Sequence, residues 1–167
     1  MERITKIILG ILIVGLALII LATPAKAPAA KAIEEIYTPE TETTPERQAA
    51  SLAAHTRVAA AGGTTDPEEW LLALEWCESN CDNARINEID RDGTPSYHLY
   101  QFKPDTLRGY GEAYGIIPQG LTDTEILKAL KDIKITRAIV RAMMKDPSVD
   151  WYQQFPDCVR RLGLPPR

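Results

Sequence analysis

Two histidines, two phenylalanines and three cysteines are all that the 167 residues contain of those types. The histidines, His55 and His98, have no ligand spacing with the cysteines, so no metal site is expected. Three cysteines allow one intrachain bridge and leave one thiol over. An excess of positive charge is also missing. Residues 66–167 carry 17 Asp and Glu against 13 Lys and Arg, a net charge of −4. That balance argues against nucleic acid as a partner and against an electrostatic grip on an anionic polymer. The same region shows no internal repeat and no low-complexity stretch.

What is present is unevenly distributed. Arg3 and Lys6 precede an apolar run of 16 residues, Ile7 to Ala22. A spanning helix needs about 20 such residues and at least about 17, whereas the core of a secretion signal has roughly 7–15. The run falls between the two. Ala25-Lys26-Ala27 resembles a cleavage site, but Pro28 directly after it disfavours cleavage. Residues 1–22 are therefore read as a membrane anchor, with a cleaved signal segment as the alternative. The basic residues ahead of the run keep the N-terminus inside. Either way the remainder is expected outside the cytoplasm, on the membrane through residues 7–22 or secreted.

Residues 23–65 read as a disordered linker. Pro24, Pro28, Pro39 and Pro45 interrupt it, large apolar residues are few, and Ala, Thr and Glu dominate. Ser51 to Ala61 is expected to form no more than a transient helix, ended by Gly62-Gly63. Residues 66–167 are then the folded domain, long enough for one compact core.

Within it, Asp66-Pro67-Glu68-Glu69 has the pattern of a helix start: a capping side chain, proline at the first helical position and a capping-box glutamate. The helix should run to about Glu78, with Trp70, Ala73, Leu74 and Cys77 on one face. Glu78 lies beside that face at the C-terminal end. Glu75 follows Leu71 and Leu72 by helical steps but lacks the end position. Asp90 to Gly93 has turn chemistry. Tyr97 to Phe102 is strand-like but short. Pro104 opens a further helix. Thr122 to Glu125 repeats the capping box and starts the longest helix, which Asp146-Pro147 stops. Trp151 to Leu162 closes the domain as a short helix or turn. The expected class is mainly α with a small β-ribbon.

An extracytoplasmic setting permits a disulfide. Cys77–Cys158 would pin the C-terminal segment beside the Glu78 helix and is preferred. Cys81–Cys158 and Cys77–Cys81 remain open.

Glu78 has the surroundings that a proton donor needs. A carboxyl among Leu74, Trp76 and the aromatic segment Tyr97, Tyr100 and Phe102 is pushed toward its neutral form, which can protonate a leaving oxygen near neutral pH. A helix-end surface glutamate is the plainer alternative. At these residues the chain resembles a known group. Cys77-Glu78-Ser79, then Ser96-Tyr97-x-Leu99-x-Gln101-Phe102, then Phe155-Pro156-Asp157-Cys158 are similar to segments of the lysozyme-like superfamily. The similarity is greatest to lytic transglycosylase-like and resuscitation-promoting-factor-like domains. It covers about Trp70 to Gly163.

The resemblance implies an α+β lysozyme-like fold, Glu78 as general acid and base, and a Cys77–Cys158 bridge. It also implies peptidoglycan glycan strands as the partner and no cofactor. Ser96, Leu99 and Gln101 would line the groove. Ser96 and Gln101 would hydrogen-bond the sugar, and Tyr97, Tyr100 and Trp151 would offer it flat faces; packing in the core is the alternative for Tyr100 and Phe102. Two departures stand out. His98 occupies a family glycine position, where glycine points to a close approach or a positive φ. Ser96 stands where retaining lysozymes carry an aspartate, so the second carboxylate is missing there. Asp90 and Asp92 lie nearby, although Asp-Arg-Asp-Gly reads more simply as a turn. A lone glutamate implies lytic transglycosylase chemistry; a hydrolytic muramidase and a non-catalytic wall-binding domain are the alternatives.

Overall fold

The computed structural model describes residues 40–167. The apolar run 7–22 and the first part of the expected linker lie outside the described residues. Among the described residues no helix is long and apolar enough to cross a membrane.

The described chain is mainly helical, with one two-stranded antiparallel sheet. The elements in order are α1 (Pro45–Ala61), α2 (Pro67–Ser79), β1 (Ile86–Asn87), β2 (Ser96–Tyr97) and α3 (Pro104–Ala113). They are followed by α4 (Asp123–Lys131), α5 (Ile133–Lys145), α6 (Trp151–Gln154) and α7 (Pro156–Leu162). The mainly α class with a small ribbon is as the sequence pattern implied.

Helix α1 corrects the linker reading of 45–61. The Thr44 side chain accepts from the Arg47 N–H, Pro45 occupies the first turn, and Gly62 closes the helix at φ 68°. This combination of cap, proline and left-handed glycine defines a helix at both ends. Its buried face is small: Ser51, Ala54 and Val58. Large apolar residues are unnecessary because small side chains let the α1 backbone approach α2 closely. A further contribution comes from an ion pair that hydropathy cannot reveal. Arg47 donates Nε to Glu75 Oε2 at 3.1 Å and Nη2 to Oε1 at 2.9 Å.

Glu75 is fully buried and has further partners. Ser51 Oγ donates to it at 3.4 Å and the Tyr100 hydroxyl at 2.6 Å, and Arg137 Nε lies 3.6 Å away. One carboxylate thus ties α1, α2, α5 and the segment after β2. A buried charge that loses its partner is costly, typically 3–5 kcal/mol. Arg47→Met is therefore expected to cost about 3 kcal/mol, moderated by the remaining Arg137. Urea denaturation would read this, and a loss below about 0.5 kcal/mol, the scale of an exposed pair, would contradict it.

The Asp66 side chain caps α2 by accepting from the Glu68 N–H at 2.9 Å. Glu69 does not complete a capping box; its carboxylate takes Arg57 at 2.7 Å and Thr64 at 2.8 Å. At Thr122 and Glu125 both halves of the box are present. The longest expected helix is divided in two. Asp132 ends α4 and its side chain caps α5, accepting from Lys134 N and Ile135 N. An aspartate at that point offers the backbone a competing partner, which periodicity does not register. The core includes Trp70, Leu71 and Leu74 of α2, Leu99 and Tyr100, Ile126 and Leu130 of α4, and Ile139 and Met143 of α5.

Candidate active site

Glu78 stands in the last turn of α2, which Asn80 ends in the left-handed conformation at φ 58°. Its neighbour Cys77 is bridged to Cys158 of α7, with Cα atoms 5.8 Å apart. This is the preferred pairing; Cys81 is free and buried. On the other side Ser79 is buried, and its hydroxyl donates to the Leu99 carbonyl at 2.9 Å. The Glu78 turn is thus held by a covalent bond to α7 and by a hydrogen bond to the segment after β2.

Glu78 is half-buried, and among the described residues its carboxyl has no hydrogen-bond or ion-pair partner. Burial pushes its pKa up from 4.5 to about 8, with help from the negative charges of Asp157 and Asp90 and opposition from Arg85. The acid form therefore predominates at neutral pH. Asp157 is paired with Arg91 at 2.6 Å and Arg160 at 3.2 Å. Asp90 lies 3.8 Å from Lys103. Lys103 also hydrogen-bonds Asp92 and holds that carboxyl well below the usual range. Asp90 to Gly93 is a turn, with the Gly93 N–H donating to the Asp90 carbonyl at 2.8 Å and Gly93 at φ 79°.

A raised carboxyl pKa makes stability pH-dependent. Below pH 4.5 Glu78 is protonated in both the folded and unfolded chains. Between 4.5 and 8 the unfolded chain releases the proton and the folded one retains it, so stability falls as pH rises. Glu78→Gln removes this slope. The stability difference between the variant and wild type should grow between pH 4.5 and 8, to a few kcal/mol, and then level off. Thermal melts at pH 4, 6 and 8.5 would measure it; a constant difference would contradict the raised pKa.

The expected groove residues divide into two sets. Ser96, Leu99, Tyr100 and Trp151, expected as substrate contacts, are each at most 6% exposed. Tyr100 is turned inward to Glu75, whose carboxylate needs its hydroxyl. Trp151 packs edge-on against Trp70 with ring centres 5.2 Å apart. Leu99 is fully buried. The Ser96 hydroxyl donates to Gln101 Oε1 at 3.2 Å, and Gln101 Nε2 donates to the His98 carbonyl at 2.7 Å. Their polar groups are thus used on each other and on the loop, not held free for a sugar. Tyr97 and Gln101 are only half-buried and remain reachable.

His98 has φ 61° and Gln101 φ 50°. Histidine and glutamine therefore hold a left-handed backbone that glycine adopts more readily. It is supported by His98 Nδ1 meeting the Asn83 carbonyl at 2.8 Å and by the His98 N–H donating to the Arg85 carbonyl at 2.7 Å. Burial lowers the His98 pKa.

Asp157 and Arg85 were not singled out by sequence reasoning. The signal for Asp157 was present: it adjoins Cys158, so the bridge at Cys77 carries it toward Glu78. Arg85 had no such marker. A pocket of about 400 Å³ involves Pro67, Glu68, Arg141 and Met144. It adjoins the N-terminal end of α2, some 15 Å of helix from Glu78, and offers none of this chemistry. Among the described residues no group of three His, Cys, Asp or Glu is placed to hold a metal ion.

No protein-family model, no curated protein and no solved structure matches this chain.

Proposed function

We propose that this chain cleaves the glycan strand of peptidoglycan as a lytic transglycosylase with a lysozyme-like fold, using Glu78 alone as acid and then base. The observation that carries the reading is a half-buried carboxyl, without a partner among the described residues, whose pKa is raised to about 8. It adjoins a disulfide that joins it to the C-terminal helix. The order of the three resembling segments supports the substrate class.

In the first step protonated Glu78 delivers its proton to the glycosidic oxygen, and the bond to C1 of the N-acetylmuramic acid residue breaks. Glu78 is then a carboxylate. It takes the proton of the C6 hydroxyl of the same sugar as that oxygen bonds to C1. A 1,6-anhydro ring forms, and the glutamate is protonated again. Neither metal nor organic cofactor enters these steps. The runner-up is a hydrolytic muramidase with a second carboxylate. What favours it is the negative charge of Asp157 and Asp90 acting on Glu78.

Digestion of purified cell walls followed by mass analysis separates the two. Anhydro ends are expected from wild type, and none from Glu78→Gln. A predominance of reducing ends would replace the first reading by the second. Absence of cleavage by wild type would leave a wall-binding domain.

A further inference from the structure

We propose that Arg85 is the anion-reading residue of the Glu78 site: its guanidinium takes a carboxylate carried by the glycan substrate. The inference rests on the glycan reading above. Peptidoglycan offers two such carboxylates near the scissile bond. One belongs to the lactyl ether of muramic acid in peptide-free strands. The other belongs to the peptide attached there.

Arg85 is held firmly by its backbone and left free at its tip. It closes a tight loop in which its N–H donates to the Asp82 carbonyl at 3.3 Å and the Asp82 N–H donates to the Ser79 carbonyl at 3.2 Å. The loop is anchored by buried Asn83. The Asn83 amide donates to the carbonyls of Thr41 at 2.9 Å and Lys131 at 2.8 Å, and its oxygen accepts from the Leu99 N–H at 3.2 Å. The Arg85 carbonyl accepts from the His98 N–H and, at 3.4 Å, from Gln101 Nε2. Arg85 is therefore fixed between the Glu78 turn and the loop after β2.

Its side chain is exposed and, among the described residues, has no ion-pair or hydrogen-bond partner. The acids that act with it on Glu78 have cations of their own. Asp157 is taken by Arg91 and Arg160, and Asp90 and Asp92 lie with Lys103. Glu78 itself is neutral at pH 7. Arg85 acts electrostatically on Glu78 yet, among the described residues, forms no ion pair of its own. A guanidinium matches a carboxylate with two parallel hydrogen bonds. A rigid backbone reduces the entropy lost when they form. Ile86 and Ile89, on the segment that follows, are 50% and 79% exposed and leave apolar surface within four residues of Arg85.

The test uses the full chain carrying Glu78→Gln, so that bound glycan is not consumed. It is titrated calorimetrically with three tetrasaccharides: peptide-free alternating N-acetylglucosamine and N-acetylmuramic acid, the same strand bearing peptides, and uncharged chitotetraose. Adding Arg85→Ala should weaken binding of a carboxylate-bearing strand about tenfold or more, the worth of a charge-assisted hydrogen bond. Chitotetraose binding should be unchanged, and Arg85→Lys should restore part of the loss. Loss confined to the peptide-free strand identifies the lactyl carboxylate; loss on the peptide-bearing strand identifies the peptide. Equal loss on all three sugars, or none on either charged strand, overturns the role of Arg85. If wild type also cleaves walls, the glycan reading survives that result. If the Arg85-intact protein binds none of the three and wild type cleaves no wall, both fall together.

Discussion

Glu78→Gln is expected to lower the rate of glycan cleavage by about 10²–10⁴-fold, the range that a positioned general acid supplies. Glutamine keeps the shape of the side chain but cannot give up or take the proton that both steps require. The folded structure should persist, because the carboxyl that is replaced has no partner among the described residues and its burial disfavours the charged form. Wild-type activity should show an alkaline limb near pH 8, since deprotonated Glu78 cannot protonate the leaving oxygen. Release of soluble fragments from purified walls by the two proteins, matched in concentration and checked by circular dichroism, gives the comparison. Equal clearing by both would remove Glu78 from the chemistry.

Replacing Cys77 and Cys158 together by alanine should destabilise the chain by about 4 kcal/mol, the loop-closure value for the 81-residue separation. For a domain of this size that lowers Tm by on the order of 10–20 °C. The consequence reaches the site because the bridge joins the residue before Glu78 to the residue after Asp157. Loosening it admits water to Glu78 and removes a neighbouring negative charge. Both changes bring the glutamate pKa back toward 4.5, so the alkaline limb should move to lower pH. Thermal melts with and without reductant, and a pH profile of the double variant, test the two parts. An unchanged Tm would contradict the first, and an unchanged limb the second.

Local signals were readable where one residue type settles a backbone geometry. The cap at Asp66, the box at Thr122 and Glu125 and the turn at Asp90 to Gly93 all read correctly because each depends on neighbours in sequence. At His98 the resemblance left a close approach and a positive φ both open, and the backbone shows the second. Helix α1 was misread because its contribution comes from Arg47 reaching a carboxylate 28 residues away, while its own face is only Ser51, Ala54 and Val58. For Tyr100 the resemblance implied a sugar-facing ring with core packing as the alternative; the ring is buried and its hydroxyl donates to Glu75, a partner that spacing does not reveal.

The two glutamates of α2 mark the division. The sequence determined that both lie on one helix, that Glu78 falls at its end and that a cysteine stands beside it, because helical spacing is a local property. The tertiary structure alone decided which partners each carboxylate meets. α1 and α5 bring two arginines to Glu75 and turn it into a structural tie. α7 and the Asp90 turn bring negative charge to Glu78, and packing removes its water. Two arginines make Glu75 a structural tie, while burial and neighbouring acids outweigh Arg85 and raise the pKa of Glu78; helical spacing reports neither arrangement.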